Sequence, residues 1–348
     1  MCLSKRLPAC FCLIFFALPS VRGQQSSDCL QHTVLVGIVD DRGAVPVNLT
    51  SKSFKATYGH RSVSSLETVY SEGPRRVVVL LDTSGSMRGP EATRYPKWQI
   101  ARAAARSFFA SLPSNSAADL MTFTDRSKVQ APLSVDHRLA EGWLDNDAAD
   151  KVPSLRGRTA MYAAIEEAEK QLQPALPGDA IYIVTDGGDN SSRVSGPEVG
   201  KSLLASGVRL FAFLVVSSAG PRIAAEIDAT NELTRLVTDS GGFMQIIWPK
   251  DVRLEQVGVP AYARTTQDPV DSGLALDTHT LEQIKLHADL LSRWISAFYL
   301  LTFQTPDGSA KPKHFKVKIV DSQGHPRKDL TIAYSYTLPA CASVPAPH

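Results

Sequence analysis

The chain has 348 residues, 43% of them hydrophobic, and 37 Lys and Arg against 35 Asp and Glu give a net charge of +2. That length exceeds one ordinary domain, and the apolar share is that of a globular protein with a sizeable core. The near balance of charge excludes the basic footprint of a nucleic-acid binder and the basic block of an anionic-lipid binder.

Residues 1–23 read as a secretory signal peptide. Lys5 and Arg6 supply the charged start, Ala9 to Leu18 the short apolar centre, and Val21-Arg22-Gly23 the cleavage-type end. The apolar run is too short to span a bilayer comfortably, and no later segment does so, which implies no transmembrane segment in the mature chain. Export to a periplasmic, cell-surface or secreted location is therefore expected. Without Lys5, Arg6 and Arg22 the net charge of +2 becomes −1. Three of the five cysteines (Cys2, Cys10, Cys12) fall in the leader. Cys29 and Cys341 remain, one near each mature end, and in an oxidising compartment they are expected to form a disulfide.

Thr33 to Val39 reads as a strand, followed by a turn through Asp40 to Gly43. Phe54, Ala56 and Tyr58 alternate, Gly59-His60-Arg61 turns the chain, and Val63 to Tyr70 reads as another strand. The run Val77 to Leu81 is apolar at every position, which suits a strand buried on both faces of a parallel sheet. Pro96 opens a helix to about Leu112 with Trp98, Ala101, Ala105 and Phe108 on one face. Asp119 to Phe123 is a strand with Val129 to Leu133 as its partner, and His137 to Leu144 a short helix. Thr159 precedes the helix Ala160 to Leu172, where its hydroxyl suits an N-cap. Ala180 to Thr185 is a buried strand, Ser195 and Glu198 form a capping box for the next helix, and Val208 to Val216 is a further buried strand. Asn231 to Asp239 is helical and Phe243 to Ile247 an edge strand.

Alternation of strand and helix from 75 to 247 is the pattern of a doubly wound, mostly parallel α/β sheet. Residues 250–277 lack periodicity and read as a surface excursion. A helix follows from Thr280, with Leu281, Ile284, Ala288, Leu291 and Ile295 as its apolar stripe, and it runs without a linker into the strand Phe298 to Phe303. Phe315, Val317 and Ile319 alternate with lysines as in a half-exposed antiparallel strand. Leu330 to Tyr336 is one more strand, and residues 339–348 read as a disordered tail.

The functional signal sits where the first buried strand stops. Asp82, Ser84 and Ser86 follow Leu81 at alternate positions, and the end of a central parallel strand is where α/β folds place ligands. Three oxygens converging on one point begin a hard-cation site. Thr159, in Gly157-Arg158-Thr159-Ala160, and Asp186, after the strand ending at Thr185, are the further candidates. This D-x-S-x-S spacing with a later Thr and a strand-end Asp resembles the metal-ion-dependent adhesion site of von Willebrand factor A domains. Val39, Asp41, Gly43, Pro46-Val47, Leu49-Thr50 and Phe54 resemble the N-terminal module of bacterial secreted proteins related to that family, and the region after 297 resembles their tail.

The resemblance implies a metal set of Asp82, Ser84, Ser86, Thr159 and Asp186, with Asp186 reaching the ion directly or through water. It implies Mg2+, with Mn2+ or Ca2+ as substitutes, and a protein partner presenting an Asp or Glu to an open coordination position. The implied architecture is a metal-binding α/β domain (74–296) inserted in a small all-β, sandwich-like module built from 24–73 and 297–338. No His lies in the motif segments, His137 being the closest in sequence, and Ser84 lacks a nucleophile elbow, so catalysis is not expected. An adhesion or protein-binding module is the leading expectation. A structural assembly subunit with a purely stabilising metal and a metal-dependent hydrolase are the alternatives.

Overall fold

The computed structural model describes residues 31–63, 66–88, 97–145, 155, 157–216, 224–248, 251–256, 274–305 and 313–338. The expected leader, the tail, and both Cys29 and Cys341 lie outside the described residues. In chain order, β1 (Gln31–Asp40), β2 (Phe54–Tyr58), β3 (Arg61–Ser62) and β4 (Leu66–Glu72) precede β5 (Arg76–Asp82). There follow α1 (Lys97–Ser111), β6 (Ala117–Phe123), β7 (Ser127–Ser134), α2 (Arg138–Asp145), α3 (Met161–Gln171) and β8 (Ala180–Thr185). Next come α4 (Gly196–Ser206), β9 (Arg209–Val215), α5 (Ala224–Asp239), β10 (Met244–Ile247), β11 (Leu254–Gln256) and β12 (Leu274–Leu276). Then α6 (Thr278–Ser296) passes directly into β13 (Ala297–Gln304), and β14 (Lys313–Ile319), β15 (Leu330–Ala333) and β16 (Thr337–Leu338) complete the order.

The central sheet has the order β10-β9-β8-β5-β6-β7 and is parallel except for β7, which runs antiparallel to β6. The unbroken apolar run of β5 follows from this position. Val77, Val79 and Leu81 face a core with Phe108 of α1 and Ile284 of α6, while Val78 and Leu80 face Ile165 of α3, Leu203 of α4 and Leu236 of α5. A strand sealed on both faces has no position at which a polar side chain reaches water, so its sequence shows no alternation. Where β5 leaves the sheet, the chain turns polar at once.

Two further antiparallel sheets, ordered β15-β1-β13-β4 and β16-β14-β2-β3, enclose a separate core. Here alternation returns. Val34, Val36 and Ile38 of β1 meet Phe54, Ala56 and Tyr58 of β2, with Tyr299, Leu301 and Phe303 of β13 and Phe315, Val317 and Ile319 of β14. Phe303 and Phe315 stack with their centroids 5.1 Å apart. The chain is thus a mixed α/β fold, a helix-flanked sheet with additional antiparallel sheets built from strands on both sides of it in sequence.

The junction between the two cores is held by buried charge and by a missing side chain. Arg209, fully buried on β9, donates to Trp294 O at 3.1 Å and Ile295 O at 2.8 Å, capping the last carbonyls of α6. Its guanidinium lies 4.7 Å from the Phe298 ring centroid, and burial pushes its pKa down to about 9. At Gly37 of β1 a Cβ would stand 2.4 Å from Trp294 Cε3, so only glycine lets the strand cross the indole.

Several local expectations are corrected. The N-cap of α6 is Asp277, which accepts the Thr280 N–H at 2.8 Å; Leu281 is 44% exposed, and the buried face gains Trp294 instead. Leu330 to Tyr336 is not one strand: β15 ends at Ala333 and pairs with β1, and the chain then crosses to the other sheet, where β16 just beyond Tyr336 pairs with β14. The described ends of the 250–277 segment form an antiparallel pair, with Leu254 opposite Leu276.

Candidate metal centre

At the carboxyl edge of the central sheet, β5 delivers Asp82, and the chain winds into a 3-10 turn from Gly85 to Arg88. Thr83 pins this turn to the end of β6, its N–H and hydroxyl both bonding Phe123 O at 2.9 and 3.0 Å. Asp82 is fully buried. Its Oδ1 accepts the Ser84 N–H at 2.8 Å, and its Oδ2 accepts the Thr185 hydroxyl at 2.6 Å. Ser84 Oγ lies 3.0 Å from Ser86 Oγ, which donates to Asp186 Oδ1 at 3.1 Å. Asp82, Ser84, Ser86 and Asp186 therefore stand in one hydrogen-bonded row, sealed at Asp82 and open to solvent at Ser86.

Thr159 is held beside this row by its backbone. Its N–H donates to Asn190 Oδ1 at 2.8 Å and its carbonyl accepts the Asn190 N–H at 2.9 Å, which clamps the Thr159 loop to the loop after Asp186. Gly85 N–H donates to Gly157 O at 3.2 Å, joining the same loop to the serine turn. Among the described residues no hydrogen bond links the Thr159 hydroxyl to the other four. Nor is Thr159 the N-cap of α3. That position is Ala160, and the free N–H groups of Tyr162 and Ala163 go to Asp189 Oδ2 at 2.9 Å and Ser192 Oγ at 3.0 Å. Gly187 holds φ at +85°, which lets the chain turn immediately after Asp186.

Lys97 is the residue that the motif did not disclose. It is 3% exposed in the first turn of α1, and its Nζ lies 2.6 Å from Asp186 Oδ2 and 2.8 Å from Ser86 O. A helix N-terminus disfavours a cation, so a lysine there signals a compensating anion outside the helix. Thr185 and Asn190 were equally silent in the sequence, because one reads as the last residue of a strand and the other as loop.

The donor set fits a hard cation. Burial, and then the facing Asp186, push the Asp82 carboxyl well above its usual range, partly offset by the Thr185 and Ser84 hydrogen bonds. Its partners are neutral, and among the described residues it has no ion pair. A carboxylate beside two hydroxyls is a set of hard oxygens, the donor type that small divalent cations take. Among the described residues there is no group of three or more His, Cys, Asp or Glu placed to hold a metal ion. His137 lies away from this row, its Nε2 2.9 Å from Ser116 O ahead of β6.

Solved structures with similar chain traces include conserved hypothetical protein BatB from Bacteroides thetaiotaomicron, at 18% identity over 50% of this chain and 90% of that one, TM-score 0.39. A von Willebrand factor type A protein from Catenulispora acidiphila matches at 14% identity over 85% and 76%, TM-score 0.41. The manganese-loaded TRAP protein of Plasmodium vivax matches at 16% identity over 78% and 96%, TM-score 0.39. No curated protein matches the chain. The family model of the von Willebrand factor type A domain matches residues 77–188, the stretch from the second residue of β5 to just past Asp186, and the helix-flanked sheet built on that stretch has the architecture of this domain.

Proposed function

We propose that the chain is an exported, non-catalytic recognition module that holds a partner protein by a carboxylate through a divalent cation at the Asp82 edge of the sheet. The observation that carries this reading is the state of Asp82: fully buried, bonded only to neutral donors, and in line with the Ser84 and Ser86 hydroxyls that lead to solvent. Asp82, Ser84, Ser86 and Thr159 are the residues assigned to hold the ion, with Asp186 beside them. Mg2+ suits a small set of hard oxygens, and Mn2+ or Ca2+ are its substitutes. When bound, the ion supplies an electrophilic coordination position for an Asp or Glu oxygen of the partner.

The chain's own residues supply the rest. Thr83 and Gly85 fix the serine turn, and the Thr159–Asn190 clamp fixes the opposite wall, so the site is preorganised. Exposed Arg88, at the end of the 3-10 turn, and Arg126, Arg158 and Arg193 on neighbouring loops, with Arg158 also donating to Asn190 O, lie at the same edge and favour an anionic partner surface. The same proposal takes 1–23 as export leader, 74–296 as the binding unit, and 24–73 with 297–338 as a β module stapled by Cys29 and Cys341. Among the described residues no helix is long and apolar enough to cross a membrane.

Capture of exported or surface proteins on the immobilised chain tests the reading. Retention is expected with Mg2+, lost in EDTA, restored by added Mg2+ and absent for Asp82→Ala. Capture that ignores EDTA and Asp82→Ala alike contradicts it.

A further inference from the structure

The two carboxylates of the candidate centre are not equivalent, and the difference is built by one side chain. Asp186 is occupied on both oxygens: Ser86 Oγ donates to Oδ1 at 3.1 Å, and the Lys97 ammonium sits 2.6 Å from Oδ2. Among the described residues Asp82 has neutral donors only. Lys97 and Asp186 are both buried, at 3% and 4% side-chain exposure, so their charges are only weakly screened by water. The ammonium is also braced by Ser86 O at 2.8 Å, the carbonyl of the very residue whose hydroxyl holds Asp186 Oδ1. Lys97 thus comes to Asp186 by a different oxygen from the one facing the hydroxyl row, and it leaves that row in place.

We propose that Lys97 is a fixed counter-charge that neutralises Asp186 and so sets the net charge of the occupied centre to favour an anionic ligand. The inference rests on the metal-recognition reading above. With Asp82 and Asp186 both uncompensated, two negative charges balance a divalent ion and its pull on a third anion is weakened. With Lys97 paired to Asp186, the three side chains Asp82, Asp186 and Lys97 sum to a single negative charge, so together with a divalent ion they carry one positive charge. A carboxylate then brings the sum to neutrality, and a neutral carbonyl or hydroxyl does not. Lys97 therefore acts as a specificity-determining residue: it weakens the hold on the ion itself and strengthens the hold on the ligand's carboxylate. Its position explains the otherwise unfavourable choice of a lysine in the first turn of α1, where the helix dipole opposes it.

The test uses the full chain and its Lys97→Met and Lys97→Gln variants, with Mn2+ as the metal probe and acetate as the carboxylate probe. Free Mn2+ is followed by electron paramagnetic resonance, and acetate uptake by the relaxation of Mn2+-bound water. Thermal melts in EDTA confirm that each variant is folded. Both variants are expected to bind Mn2+ at least about tenfold more tightly, and acetate on the loaded protein at least about tenfold more weakly, as removal of one nearby buried charge requires. Unchanged Mn2+ and acetate affinities in folded variants overturn the role of Lys97 and leave the metal site standing. Binding of Mn2+ by the variants but not by the parent chain also overturns it, since Lys97 then replaces the ion instead of tuning it. Failure of parent and variants alike to bind Mn2+ removes the metal-recognition reading itself.

Discussion

At pH 8 an Asp119→Asn variant is expected to be more stable than the parent chain by about 4 kcal/mol, and at pH 4 the gap is expected to shrink to below about 1 kcal/mol. Asp119 lies in β6, 1% exposed, on the side of the sheet that packs against α3. Neither carboxylate oxygen makes a hydrogen bond; the Val79 amide lies near enough to offset a little of the cost of burial, but not in bonding geometry. Burial accordingly raises its pKa from 3.8 to about 7. In the unfolded chain the group ionises near its ordinary value while the folded chain keeps the proton, so stability falls as pH rises through the window from 3.8 to about 7 and stays low above it. Asparagine is close in shape to the neutral acid and has nothing to titrate. Urea unfolding at the two pH values, in EDTA, measures the difference. A variant that is no more stable than the parent at pH 8 contradicts the buried, unpartnered placement of this side chain.

Asp82→Asn is expected to have opposite effects on stability and on ion response. In EDTA near pH 8 the variant melts above the parent, because it removes a buried carboxylate that faces Asp186 and has no cationic partner among the described residues. Added Mg2+ then raises the parent and leaves the variant where it was. An ion present at about a hundred times its dissociation constant stabilises the native state by about 2.7 kcal/mol, so the loss is large. Melting curves of both proteins in EDTA and across a Mg2+ series give both quantities. A Mg2+ gain retained by Asp82→Asn moves the ion elsewhere. A variant less stable than the parent in EDTA makes Asp82 a structural acceptor first. The two carboxylates, Asp82 and Asp119, thus illustrate different outcomes of burial: one lies beside a row of hydroxyls that gives it a use, the other stands alone in a core.

The α/β architecture was legible because its signals are dense. A run such as Val77 to Leu81 has few explanations other than a strand covered on both faces, and Ile181 to Val184 and Leu210 to Leu214 repeat it. Period-two alternation in β2 and β14 announced sheets with one buried face. What escaped was set by distant contacts. Nothing in the stretch Leu330 to Leu338 indicates that β15 and β16 belong to different sheets; only their partners β1 and β14 decide it. Trp294 was missed in the α6 stripe because its place depends on Gly37, more than two hundred residues earlier. At the candidate centre, the spacing of Asp82, Ser84 and Ser86 was visible because one turn carries them all. Lys97, Thr185 and Asn190 were not visible, since each acts on a residue brought to it by the fold: Asp186, Asp82 and Thr159. Local spacing thus named the ion's candidate ligands, while the groups that set their charge and orientation came from elements outside the motif.

Anomalous diffraction from crystals of the protein soaked in Mn2+ locates the ion. A single strong peak is expected within about 2.2 Å of an Asp82 carboxylate oxygen and of the Ser84 and Ser86 hydroxyls, with Lys97 still paired to Asp186. Absence of a peak at this edge of the sheet, or a peak bound only by residues other than Asp82, Ser84 and Ser86, contradicts the metal-recognition reading.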